Sequence, residues 1–287
     1  MPEIEPICIL TPGISEFPKA ILAAPDGACA EIYLHGGHLT SWIPAGGEEQ
    51  IFLSQTAEFT AKSAIRGGVP VIFPQFADTG PLAKHGFARR AEWMFANAES
   101  TAEGVTARFE LRDSSQTRAA WPYPFLLTLK VTLSGRRLDL KLTVANNGKE
   151  PMRFSGALHT YFRVSELNQV TIAGLKGCRY RIAPQAPSEF IQAEEMLTFG
   201  TDEFTRMYLG SPKQFTLHDA GRVLKIETYG FPDTVVWNPG KVGGAAQSDL
   251  EPDGYRRFFC LEPAIVANPQ EVAPFDTWSG GQTLILE

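Results

Sequence analysis

Apolar and polar residues alternate with a period of two through the middle of the chain. Val105, Ala107, Phe109 and Leu111 interleave with Thr106, Arg108, Glu110 and Arg112, and Leu127, Leu129, Val131 and Leu133 with Thr128, Lys130 and Thr132. After Ser134-Gly135 the pattern resumes at Leu138, Leu140, Leu142 and Val144. A period of two sends alternate side chains to one face, so these stretches predict half-buried strands, the last two as an antiparallel hairpin. A second hairpin is expected over 215–228, turning at Asp219-Ala220-Gly221, with further strands over 28–34, 39–44, 93–95, 234–237, 258–261 and 283–286. Glycine and proline punctuate 65–76, so any strand there is irregular or at an edge. Only 114–120 reads as a helix, stopped by Trp121-Pro122. No helical period is long enough to cover a parallel sheet, no linker divides the chain, and no repeat of about 20 to 50 residues recurs. The expectation is a single all-β domain over 1–287, a large two-sheet antiparallel β-sandwich with a few short helices.

Composition sharpens this picture and narrows the partners. The 26 glycines and 21 prolines supply many turns, which favours short strands over long helices. Against 32 Asp+Glu stand 26 Lys+Arg, a net charge of -6, which argues against nucleic acid or an anionic membrane as the main partner. An anionic small substrate would need a local basic pocket. Cys8, Cys29, Cys178 and Cys260 are scattered singly, which suggests free thiols in a reducing cytoplasm and neither a zinc site nor a disulfide framework. Met1-Pro2-Glu3-Ile4-Glu5 is acidic where a secretory signal would be basic, and no apolar run approaches the length of a membrane span. The protein is expected to be cytoplasmic, a monomer or weak homodimer.

Polar side chains in apolar surroundings are the candidates for chemistry. His159 lies in Phe154-Ser155-Gly156-Ala157-Leu158-His159-Thr160-Tyr161-Phe162, a stretch of β-formers, where an imidazole either satisfies a buried hydrogen bond or moves a proton. Arg66 and Gln75 stand in the apolar 65–76 stretch, and Lys84-His85-Gly86-Phe87-Ala88-Arg89-Arg90 follows. Glycines there permit close approach of a ligand and arginines hold oxyanions bidentately; equally, arginines beside turns form structural ion pairs. His35-Gly36-Gly37-His38 invites a metal, but no carboxylate or cysteine lies nearby to complete a shell, and it reads as a turn.

Five stretches in one order, "IRGGVPVIFPQF", "KHGFARR", "ALHTYF", "DTVVWNP" and "FFCLEPA", closely resemble the hexose-6-phosphate mutarotases, the glucose-6-phosphate 1-epimerase branch of the aldose 1-epimerase superfamily. The resemblance covers residues 20–287. It implies a galactose mutarotase-like sandwich with a sugar cleft on one sheet, a sugar phosphate as substrate, no metal and no organic cofactor. Residue by residue, it implies that His159 is the general acid and Glu262 the general base. Arg66, Gln75 and Arg89 match substrate-binding positions, the arginines holding the phosphate, with His85 contributing to the sugar site. The family usually carries Glu-Thr-Asp-Arg before a tyrosine, its aspartate binding sugar hydroxyls; here Glu203-Phe204-Thr205-Arg206-Met207-Tyr208 puts Thr205 at that place. A hydroxyl there is shorter and uncharged, so its contact with sugar would be weaker or differently aimed. The implied chemistry needs His159 protonated beside an ionised Glu262, with their attraction raising the histidine pKa. Rival expectations are an epimerase of unphosphorylated aldoses, a non-catalytic carbohydrate-binding protein, and for Glu262 a structural pair with Arg256 or Arg257. Lys241 to Asp253, rich in small residues, is expected to be a mobile loop.

Overall fold

A computed structural model describes residues 7–102, 104–184 and 186–287; the acidic N-terminal pentapeptide lies outside the described residues. Among these the strands form three sheets of four, eight and nine strands, and every strand pair is antiparallel. The clean alternation of the sequence builds the nine-stranded sheet. Gly104–Arg112, Phe125–Ser134 and Arg137–Asn146 lie side by side in it, and Thr277–Leu286 joins them to the hairpin Gln214–Asp219 and Arg222–Tyr229. The helix Ser115–Ala120 starts on a capping box at Ser114 and ends before Trp121, as expected.

The eight-stranded sheet orders Phe204–Tyr208, Asp233–Asn238, Phe258–Val272, Met152–Leu158 and the two-residue edge strand Val71–Ile72 as successive neighbours. One of its faces, with Val236, Phe259 and Leu261, packs into a core shared with Leu127, Leu129, Leu140 and Leu284 of the nine-stranded sheet. Aromatic pairs Phe154–Trp278 and Phe73–Phe125 bridge the layers at 5.2 and 5.4 Å between ring centroids. Full burial of each such side chain contributes about 1.5–3 kcal/mol. The four-stranded meander Ile7–Pro12, Pro18–Ala23, Cys29–Tyr33 and His38–Ile43 adds Leu22, Ile32 and Trp42 to the same core.

The other face of the eight-stranded sheet carries a second, smaller cluster of Ile72, Phe76, Ala157, Met207, Val235 and Ala264. Register fixes its neighbours: Val235 lies opposite Glu262 and Met207, and Trp237 opposite Thr205. A half-turn of pleat thus separates residues of the deep core from residues that floor a cleft.

Candidate active site

The floor of that cleft holds Glu262, in the long strand Phe258–Val272, and His159. His159 does not sit within a strand, as its β-forming neighbours suggest. It occupies a two-residue break between Met152–Leu158 and Tyr161–Arg163, its N–H donating to the Pro70 carbonyl at 3.0 Å. The break frees the side chain from strand alternation. One residue of the opposite sheet fixes both segments from behind. Thr160 donates through Oγ1 to Gln282 Oε1 at 2.5 Å, and Gln282 Nε2 donates to the Leu261 carbonyl at 3.3 Å. His159 Nε2 and Glu262 Oε1 come to 3.4 Å, the side chains 10% and 1% exposed. Among the described residues His159 Nδ1 and Glu262 Oε2 have no hydrogen-bond partner. Arg256 pairs with Glu166 and Arg257 with the Ser165 carbonyl, so neither neutralises Glu262.

Burial opposes the upward shift expected for the histidine. Burial, reinforced by His85, Arg89 and Arg66, holds His159 well below its ordinary 6.5. Burial lifts Glu262 well above its ordinary 4.5, with Arg89 pulling the other way. Desolvation outweighs mutual attraction, so burial favours the uncharged form of each group. An imidazolium–carboxylate pair holds the same single proton, so the two forms differ only by its position between the groups.

Around the pair lies a cleft of about 510 Å³, lined among others by Arg66, Lys84, His85, Arg89, Tyr161, Thr205 and Trp237. Arg66 is partly committed: Nε donates to Asp249 at 3.1 Å and Nη1 to the Tyr161 hydroxyl at 3.2 Å. Burial works against its charge, but Tyr161 and Asp249 outweigh it and hold Arg66 above its ordinary pKa. The structural ion pair foreseen for an arginine beside a glycine turn is therefore realised at Arg66. Arg89 donates to the Lys84 carbonyl at 3.0 Å, its buried Nε has no partner among the described residues, and burial pushes its pKa down to about 10. It remains a cation at neutral pH. His85 has a left-handed φ of 66°; its N–H donates to the Ala77 carbonyl, and Nδ1 accepts from the Ala77 N–H at 3.2 Å. Next to it, Gly86 has φ 68°, and a Cβ there would meet the Phe73 carbonyl oxygen at 2.2 Å, so only glycine lets this turn press against the sheet edge. Burial and the Arg89, Lys84 and Arg66 charges push His85 down to about 3, leaving a neutral imidazole.

Two expectations change. Gln75 is not part of the cleft lining. Its amide donates to the Ala77 and Leu82 carbonyls and accepts from the Leu82 N–H, so it braces the 75–82 loop. The segment expected as a loop from Lys241 opens with the helix Gly240–Ala245 and supplies Asp249 to Arg66. Sequence reasoning leaves out Lys84, Tyr161, Trp237 and Asp249. Period-two parity with Val235 points to Trp237, whereas nothing local marks Asp249, which meets Arg66 across 183 residues. The His159 ring stacks on Tyr161 at 5.0 Å and meets Trp237 edge-on at 5.8 Å, so aromatic packing holds it in place of a hydrogen bond at Nδ1. His35 and His38 each place Nε2 at 2.8 Å from a backbone carbonyl, and among the described residues no three His, Cys, Asp or Glu side chains converge as a metal site.

A model of the aldose 1-epimerase family matches residues 18–284. The chain belongs to the aldose 1-epimerase family. It is an isomerase, and its fold is the galactose mutarotase-like sandwich. A protein of Cenchrus ciliaris, provisionally described as a glucose-6-phosphate 1-epimerase, is 34% identical over 273 residues, 91% of this chain and 82% of that protein. The crystal structure of a protein from Salmonella typhimurium, provisionally described as a mutarotase, matches with a TM-score of 0.88 at 30% identity, over 100% of this chain and 96% of that one. A galactose mutarotase-like protein from Clostridium acetobutylicum matches in fold, with a TM-score of 0.81 at 16% identity over 99% of each chain. Among the described residues no helix is long and apolar enough to cross a membrane.

Proposed function

We propose that this epimerase interconverts the α and β anomers of an aldohexose 6-phosphate, glucose 6-phosphate first, with His159 as general acid and Glu262 as general base. The observation that carries the assignment is the buried His159–Glu262 contact of 3.4 Å on the cleft floor. Ring opening needs a proton delivered to O5 and another removed from the C1 hydroxyl. Both oxygens are bonded to C1, so acid and base must stand close together, as these two do. In the opening step imidazolium gives its proton to O5, the C1–O5 bond breaks, C1=O1 forms, and Glu262 takes the hydroxyl proton. The pair ends in its neutral form, with its proton count unchanged. Rotation about C1–C2 and the reverse transfers close the ring on the other face.

Phosphate is favoured by three cations, Arg66, Lys84 and Arg89, gathered around His85 in the cleft lining of a chain of net charge -6. They hold the remote end of the sugar so that C1 falls between acid and base. His85 contributes to the sugar contacts, Thr205 lines the same cleft, and Gln75 acts through the loop it braces. An epimerase of unphosphorylated aldoses is the second reading, favoured by the commitment of Arg66 to Asp249. Anomerisation rates of glucose, galactose and mannose with and without a 6-phosphate decide between them. Acceleration confined to the phosphorylated sugars supports the first reading, equal acceleration the second, and saturable binding without acceleration a carbohydrate-binding protein. The same reading takes 1–287 as one domain, supported by a core that draws on all three sheets, and places it in the cytoplasm as a monomer or weak homodimer.

A further inference from the structure

The cleft lining carries an acidic residue that the mechanism does not use. Glu203 immediately precedes the strand Phe204–Tyr208, and Glu203, Thr205 and Met207 all line the cleft. Thr205 donates through Oγ1 to Glu203 Oε1 at 3.3 Å. A hydroxyl has one proton, so Thr205 directs it at the carboxylate and aims that carboxylate. Among the described residues no lysine, arginine or histidine forms an ion pair with Glu203, whereas Asp249 is paired with Arg66 and Glu262 faces His159. The backbone beneath it is fixed. Gly240, at φ 63°, lies so close that a Cβ would meet Asp202 C and Glu203 N at 2.4 Å, and the Lys241 N–H donates to the Thr201 carbonyl at 2.8 Å. Gly240 in turn donates to Asn238 Oδ1, whose amide nitrogen donates to the Tyr255 and Phe258 carbonyls. Glu203 therefore projects from a clamped corner of the sheet.

We propose that Glu203 is a further substrate-binding residue, accepting hydrogen bonds from the C2 and C3 hydroxyls of the sugar, with Thr205 as its positioning residue. This rests on the sugar-phosphate reading above and gives it a direction. Across the eight-stranded sheet, Phe204–Tyr208 is two strands to one side of Glu262, and Val71–Ile72, flanked by the segments that carry Arg66, Lys84 and Arg89, is two strands to the other. Each flank is thus about 10 Å from the catalytic strand at the backbone. In a hexopyranose 6-phosphate, O5 and C1 lie between C5, which bears the phosphorylated C6, and C2, across the ring from C5. A phosphate at the cations and C1–O5 at His159 and Glu262 leave C2 and C3 toward Glu203. Glu203 supplies a charged acceptor on the face that Thr205 also lines. Glu203 consequently reads the configuration at C2, which separates glucose from mannose, and not at C4, which separates glucose from galactose.

The test compares full-length wild type with Glu203→Gln, Thr205→Val and Thr205→Ser, using anomerisation of glucose, mannose and galactose 6-phosphates followed by NMR exchange. For Glu203→Gln, KM for glucose 6-phosphate is expected to rise about tenfold, with a smaller fall in kcat, because a charged acceptor is lost. The glucose-over-mannose ratio of kcat/KM should fall with it, and the glucose-over-galactose ratio should move by less than about threefold. Thr205→Val should move the same quantities less, and Thr205→Ser should restore them. An active wild type with unchanged KM and sugar ratios in Glu203→Gln overturns the assignment alone. Loss in Thr205→Val without loss in Glu203→Gln overturns it in favour of direct binding by the threonine. A wild type that accelerates none of the three sugars overturns both this assignment and the reading it rests on.

Discussion

At the scale of residues, the unusual feature is two ionisable groups in a buried contact of 3.4 Å. Desolvation penalises either group when charged, and the cations around them shift both in the same direction. A positive charge disfavours imidazolium and favours carboxylate, so it lowers both pKa values. In the unliganded protein the His159 imidazole should therefore titrate well below 6.5 by NMR, with its signal assigned by loss in a His159 variant. Replacing Arg89 with glutamine should move that midpoint upward, since Arg89 acts against the imidazolium. A midpoint at or above 6.5 in the wild type, or a downward move in the variant, would contradict the charge assignment. Gln75 makes a second case. Its loop hydrogen bonds predict that Gln75→Leu costs about 1–3 kcal/mol in urea unfolding. A raised KM with unchanged stability would restore it to the substrate contacts.

Elements explain what was legible in the sequence and what was not. Half-buried strands announce themselves by alternation, so the hairpins at 125–146 and 214–229 fall where the pattern puts them. The site resists the same reading because it is built where alternation stops. His159 stands in a strand break, His85 in a left-handed turn, and Asp249 after a helix of six residues. Register, which no local pattern discloses, brings Val235, Trp237 and Glu262 onto one face. The resemblance of five stretches to a family supplied the partner for His159; two side chains 103 positions apart cannot be paired from spacing. The same stretches made Gln75 a ligand and left Glu203 aside, because a motif gives residue types and not the direction in which an amide or carboxylate points.

The whole molecule supplies both the field and the frame. A local excess of cations in an acidic protein predicts that KM for glucose 6-phosphate rises between low and about 0.5 M salt, while KM for free glucose stays nearly constant; parallel changes would argue against anion capture. The frame is the packing of two sheets, and Gln282 reaches through it to both Thr160 and Leu261, the neighbours of His159 and Glu262. Gln282→Leu leaves a buried hydroxyl and a carbonyl with fewer partners, an expected loss of about 1–3 kcal/mol, and it should lower kcat more than it raises KM. Unchanged kcat in a destabilised variant would show that the second sheet supports the fold alone. The central claim is that His159 and Glu262 together move the protons of ring opening. NMR exchange between α- and β-glucose 6-phosphate tests it most directly in wild type, His159→Ala and Glu262→Gln, each with its folding checked by circular dichroism. The account predicts acceleration by the wild type and a loss of about two to four decades in each folded variant; exchange at the wild-type rate in either would contradict it.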